Sequence, residues 1–177
     1  MKYTATYQSP MGEILLAADE TGLTGLWFMG AKYFAEGLAP QHREEDTSVL
    51  KITGKWLDIY FSGREPDFMP PLHLVGSPFR LSVWKLLQQI PYGETVTYGQ
   101  LAEMVARERG LAHMSAQAIG GAVGHNRISV IIPCHRVVGS DGSLTGYAGG
   151  VDKKKKLLVL EGADMERLYV PDTGLKT

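Results

Sequence analysis

Apolar and polar positions alternate with strand period in three runs near the start of the chain. They are Tyr3 to Tyr7, Glu13 to Ala18 and Leu23 to Phe28. Ser9-Pro10-Met11-Gly12 and Asp19-Glu20-Thr21-Gly22 separate them, and both are turn sequences. A three-stranded meander is therefore predicted. Residues 29–46 show no period and are expected to be loop. Helical spacing takes over at 48–61, with Val49, Ile52, Trp56 and Tyr60 on one stripe, and stops at Ser62-Gly63. Residues 64–77, with Pro66, Pro70 and Pro71, read as a linker.

Beyond the linker the pattern is helical and carries clear start signals. Ser77 before Pro78 is an N-cap followed by proline at the first helical position. Phe79, Val83, Leu86, Leu87 and Ile90 keep helical spacing up to Pro91. A second helix starts at Thr97, where Thr97 and Gln100 form a capping box and Val96 can staple onto Leu101. A third starts at Ser115, with Met114 facing Ile119, and closes at Gly124. Helices two and three follow one another as in a helix-turn-helix, although the connection from about Arg107 to Met114 exceeds the usual turn. A last helix is predicted from Asp152, as N-cap, to Glu161, with Gly162 as the stop.

Composition adds little until the chain is divided. The 177 residues are 44% hydrophobic with a net charge of −1. Residues 1–75 hold 6 Lys+Arg against 10 Asp+Glu, whereas residues 76–165 hold 10 against 7. The second part is thus the one able to face phosphates. No apolar run approaches the ~20 residues of a membrane span, and the start of the chain lacks the apolar core of a signal peptide. A cytoplasmic location is the default expectation. One cysteine and five scattered histidines argue against an intrachain disulfide and against a thiolate zinc site. No cofactor or metal is expected.

That single cysteine is the focus of the chemistry. Cys134 follows Pro133, which breaks an apolar strand pattern, so the thiol is expected at a turn. His135 and Arg136 come next and can lower a thiol pKa by charge or by accepting its proton. Glycine-rich sequence from Gly139 to Gly150 lets backbone approach a ligand. A buried, inert thiol is the competing reading. Helix three has Ala116, Gly120 and Gly124 at i, i+4 and i+8, with Gly121 and Ala122 also small. Each mid-helix glycine costs about 1 kcal/mol relative to alanine. Such a surface either packs closely on another helix or enters a narrow groove. The lysine run Lys153 to Lys156 reads as a solvated face or a phosphate-facing edge.

The run IPCHRV, with TYGQLA before it and GYAGG after it, resembles the O6-alkylguanine-DNA alkyltransferases, most strongly from Phe79 to Gly162. The resemblance implies an α+β chain. A small α/β ribonuclease-H-like domain (1–75) would precede a helical, winged-helix-like alkyltransferase domain with a helix-turn-helix (76–177). It implies repair of duplex DNA bound in the minor groove by a monomer, with the damaged nucleotide flipped out. The alkyl group of O6-alkylguanine, with O4-alkylthymine as a second substrate, would pass irreversibly to Cys134.

Roles follow residue by residue. Cys134 would be linked through a water to His135, and His135 to Glu161. Tyr98 would hydrogen-bond the guanine ring, and backbone at Cys134, Val137, Tyr147 and Ala148 would hold the base edge. Asn126 would tie the recognition helix to the active-site turn. Ala116, Gly120, Gly121, Arg127 and Arg136 would face DNA. Gln117 stands where the family places an arginine finger, and Arg127 where a proline commonly follows the asparagine. Two other classes stay open at this point: a lesion sensor without transfer activity, and a Cys–His hydrolase.

Overall fold

In the computed structural model, which describes residues 1–171, side-chain hydrogen bonds close the first turns. Ser9 Oγ accepts from Met11 N at 3.0 Å, and Asp19 Oδ1 accepts from Thr21 N and Gly22 N at 2.9 and 3.0 Å. Each caps backbone donors that the turn leaves unpaired. Strands β1 (Lys2–Ser9), β2 (Gly12–Ala18) and β3 (Leu23–Phe28) form the expected antiparallel meander. The loop expected over 29–46 contains one more strand. β4 (His42–Glu44) pairs parallel to β1, giving the sheet order β3-β2-β1-β4. All three of its residues are exposed, so no burial pattern announced it.

Helix α1 (Ser48–Phe61) is capped by Thr47 and covers the sheet. Its buried face is Leu50, Thr53, Trp56, Leu57 and Tyr60, a stripe rotated from the one the spacing suggested. Helices α2 (Pro78–Leu87), α3 (Tyr98–Glu108) and α4 (Ala116–Gly124) start at the predicted caps Ser77, Thr97 and Ser115, and the Thr97–Gln100 box is formed. Short strands β5 (Val96–Thr97) and β6 (Val137–Val138) pair in parallel beside α3. Helix α5 (Val151–Leu160) is capped not by Asp152 but by Gly150, at a φ of 100° and without a side-chain bond. Asp152 lies inside the first turn, where its charge favours the helix dipole.

The two halves of the chain share one core. Ile14 and Leu26 from the sheet, Leu57 and Tyr60 from α1, and Trp84, Leu101, Ile119 and Leu157 from the later helices form a single buried cluster, which also contains Cys134. Backbone bonds stitch them as well: Leu26 N donates to Arg127 O at 2.8 Å, and Ser129 N to Leu26 O at 3.0 Å. The segment leading into the cysteine turn is thereby held against β3. Within it Val130 adopts a φ of 70°, a strained conformation for a β-branched residue that only dense surroundings sustain.

Candidate active site

Cys134 opens a single 3-10 turn, Cys134–Arg136, as the proline led one to expect. The geometry around it is set by Glu161, the C-cap residue of α5. Glu161 Oε2 accepts from His135 Nε2 at 2.6 Å and from Tyr60 Oη at 2.6 Å. Oε1 accepts from Arg136 Nε at 2.8 Å and from the Gly93 amide at 3.0 Å, and Arg136 Nη2 reaches Oε2 at 3.1 Å. Burial alone would raise the carboxyl pKa. The bonds from His135 and Arg136 outweigh it and hold Glu161 ionised, well below the usual carboxylate range.

An ionised carboxylate can only accept, so His135 carries its proton on Nε2 and presents a lone pair at Nδ1. Burial keeps the imidazole neutral, pushing its pKa down against the pull of Glu161. His135 Nδ1 is buried with no protein partner, so the ring is a base with one occupied face and one available face. The thiol beside it is 6% exposed. Burial pushes the Cys134 pKa up, opposed by a bond from Asn126, the Lys154 charge and nearby backbone amides. Burial therefore favours the protonated thiol at Cys134.

Asn126 lies just beyond the end of α4 and is buried. Its Nδ2 donates to Ile132 O at 2.8 Å and Ile128 O at 3.3 Å, and its Oδ1 accepts from Ile128 N at 3.1 Å. The end of α4 is so joined to the strained segment before the cysteine. Tyr98, at the first turn of α3, is half-buried. Its hydroxyl bonds Thr145 O at 3.3 Å, and burial lifts its pKa to about 12, so it remains a donor. Val137 is fully buried in the pairing with Val96. Tyr147 packs edge-on to the His135 ring at 6.5 Å. Ala148 O accepts from Lys32 N at 2.9 Å.

A cavity of ≈ 300 Å³ lies between α4 and the glycine-rich loop. Gly120, Gly121 and Gly124 form one wall and Gly146, Tyr147 and Ala148 another, with Lys32 and Tyr33 closing a third side. Cys134 does not line this cavity. The α4 glycines face open space: a Cβ built at Gly120, Gly121 or Gly124 meets nothing within 4 Å. Close packing on a neighbouring helix is excluded as their purpose. Helix α4 is anchored on its opposite side, where Trp84 Nε1 donates to Ala122 O at 2.9 Å. Ala116 and Gln117 are exposed at its N-terminal turn.

The two arginines assigned to DNA from the sequence differ in their surroundings. Arg136 is buried, with its guanidinium committed to Glu161 and to Ile90 O at 2.6 Å. Arg127 lies against Gly37 of the loop after β3, where an added Cβ would meet its Nη1 at 2.6 Å. The first half of the chain reaches the site through Tyr60, Lys32 and Tyr33. Sequence reasoning also missed Lys154. It is fully buried, donates from Nζ to Thr145 O at 2.7 Å and lies 5.7 Å from the Tyr98 ring centre. The available signal was helical spacing: Lys154, Leu157, Leu158 and Glu161 fall at i, i+3, i+4 and i+7, one face of α5, and all four are buried.

Comparison with known proteins places the chain among its relatives. The family profile for "6-O-methylguanine DNA methyltransferase, ribonuclease-like domain" matches residues 2–74, and that for "6-O-methylguanine DNA methyltransferase, DNA binding domain" matches residues 78–163. A methylated-DNA–protein-cysteine methyltransferase of Methanosarcina acetivorans is 42% identical over 161 residues, 91% of this chain and 99% of that one. The crystal structure of Mycobacterium tuberculosis OGT in complex with DNA aligns with a TM-score of 0.78 at 38% identity, over 90% of this chain and 92% of that one. An O6-methylguanine DNA methyltransferase from Methanococcus jannaschii aligns with a TM-score of 0.61 at 26% identity, over 96% and 99%. The chain belongs to the 6-O-methylguanine DNA methyltransferase family.

Proposed function

We propose that the chain repairs DNA by direct alkyl transfer from O6-alkylguanine to Cys134, acting once per molecule. The observation that carries this reading is the 2.6 Å bond between His135 Nε2 and an ionised Glu161 beside the only cysteine. The Cys134 proton passes to His135 Nδ1, through a water if the two do not meet directly. The sulfur then attacks the alkyl carbon in line, the carbon–O6 bond breaks, and its electron pair stays on the base. Guanine recovers a proton, and the imidazole is neutral again. The thioether formed has no hydrolytic exit. Tyr98 exchanges its long bond to Thr145 O for one to the guanine ring. Backbone at Cys134, Val137, Tyr147 and Ala148 holds the base edge.

Duplex DNA would be met by α4 in the minor groove, whose ~6 Å width suits a helix bearing glycines on its outer face. Ala116, Gln117, Gly120 and Gly121 lie on or beside that face; Arg136, buried on Glu161, does not belong to it. Gln117 is shorter and uncharged where relatives use arginine, so Gln117→Arg should raise affinity for duplex several-fold, read by fluorescence anisotropy at fixed salt. Among the described residues no helix is long and apolar enough to cross a membrane, and the protein would act in the cytoplasm.

Incubation with an oligonucleotide carrying O6-methylguanine, followed by intact-mass measurement, tests the function. A gain of one methyl by the parent and none by Cys134→Ala is expected. Binding with no mass gain in the parent would instead indicate a lesion sensor, and repeated turnover of an ester or peptide a hydrolase.

A further inference from the structure

Lys32 and Tyr33 belong to the loop between β3 and β4, yet they line the same cavity as the α4 glycines and the segment Gly146 to Ala148. Several contacts hold the loop there. The Lys32 amide donates to Ala148 O at 2.9 Å. His125, the C-cap of α4, stacks on the Tyr33 ring with 3.9 Å between centroids, and its Nδ1 donates to Glu36 Oε2 at 3.1 Å. The Arg127 guanidinium rests on Gly37. The loop is strained by this arrangement. Tyr33 and Ala35 adopt φ values of 60° and 58°, left-handed conformations that residues with a side chain keep only where their surroundings impose them, and such strain collects at binding sites. The side chain presented at this point is charged. Lys32 is exposed, its Nζ lies 5.1 Å from the centre of the Tyr33 ring, and it forms no ion pair among the described residues. The loop's one carboxylate, Glu36, is committed to His125. An imidazole from the end of α4 thus supports an aromatic ring, and the ring supports an ammonium.

We propose that Lys32 binds a phosphate of the lesion-bearing strand, with Tyr33 and His125 as positioning residues that hold its ammonium at the rim of the cavity. The proposal rests on the reading that α4 enters the minor groove of damaged DNA. A nucleotide extruded past α4 toward the glycine-rich loop meets Lys32 and Tyr33 as the third wall of the same cavity. Its base can enter, but its phosphate is held outside by the cost of stripping water from an anion. The phosphate therefore stops at the rim, where the ammonium stands. Helix α4 contains no charged residue, so a cation for that phosphate has to come from a neighbouring segment. Lys32 supplies it from the acidic first half of the chain.

Anisotropy titration of a duplex carrying O6-methylguanine over a series of salt concentrations reads the contact, with Cys134→Ala as the parent so that no transfer occurs. Lys32→Ala should weaken binding several-fold near physiological salt and reduce the slope of log affinity against log salt by about one, the mark of one lost phosphate contact. Lys32→Arg should keep the slope. Tyr33→Ala and His125→Ala should reproduce part of the loss and Tyr33→Phe none, because the ring and not the hydroxyl supports the ammonium. Lys51→Ala, at an exposed position on α1, is the control and should change neither quantity. If the parent binds and Lys32→Ala keeps its slope, this proposal alone is overturned; a parent that binds no duplex overturns the repair reading with it. Should the loop variants fail to fold, the unsubstituted protein decides. In lysine acetylation mapped by mass, duplex should protect Lys32 and leave Lys51 reactive, and equal labelling of Lys32 with and without duplex overturns the proposal.

Discussion

Glu161 and Lys154 lie two turns apart on one face of α5, both buried, and the fold treats their charges in opposite ways. Each stands at the helix end that its charge disfavours, the carboxylate at the C-cap and the ammonium in the first turn. Glu161 is compensated in full by Tyr60, Gly93, His135 and Arg136. Lys154 meets one carbonyl and an aromatic ring. The satisfied charge holds a geometry, fixing the tautomer and orientation of His135. The lysine has no carboxylate partner among the described residues. A buried ion with complete partners supports structure, whereas one with incomplete partners points to chemistry.

Neutralising the satisfied charge should have the largest effect. Glu161→Gln leaves Arg136 buried without its counter-ion and should cost about 3–5 kcal/mol in urea unfolding, with transfer slowed on the order of a hundredfold. The acid limb follows with a definite sign. The folded-state pKa of Glu161 is depressed, so its stabilisation is present above the unfolded value of about 4.3 and is lost as pH falls below it. Glu161→Gln should flatten that part of the stability profile.

Lys154→Met should move the other way, raising stability at pH 7 by about 1–4 kcal/mol. Because burial lowers the lysine pKa to about 8, the folded state releases its proton first as pH rises. The advantage of methionine should therefore shrink between about pH 8 and the unfolded lysine value of about 10.4. If both substitutions destabilise equally, the contrast between the two charges is wrong.

Tyr60→Phe removes one donor to Glu161 and keeps the ring, so a loss of about 1.5–3 kcal/mol is expected. Gly121→Ala should give the smallest change. Its Cβ meets open space, so the helix gains up to about 1 kcal/mol in thermal unfolding, while affinity for duplex falls. A gain in affinity would contradict placement of that face in a groove.

Local signals were the legible ones. Turn residues at Ser9 and Asp19 and caps at Ser77, Thr97 and Ser115 act within a few positions, and the structure follows them. The cysteine turn was legible for the same reason, through Pro133. Features that depend on distant partners were not. Tyr60 meets Glu161 across 101 positions, and β4 pairs with β1 through exposed residues that carry no pattern. Arg136 reads as a phosphate ligand until its carboxylate is seen. The lysine run misled because three neighbours of like charge hid the burial period of Lys154.

Titration of the protein against excess O6-methylguanine oligonucleotide, with peptide mass mapping of the product, tests the central claim most directly. Lesion loss should stop at one equivalent, with the methyl group on the peptide containing Cys134. Continued turnover, or a methyl group on any other residue, would contradict the account.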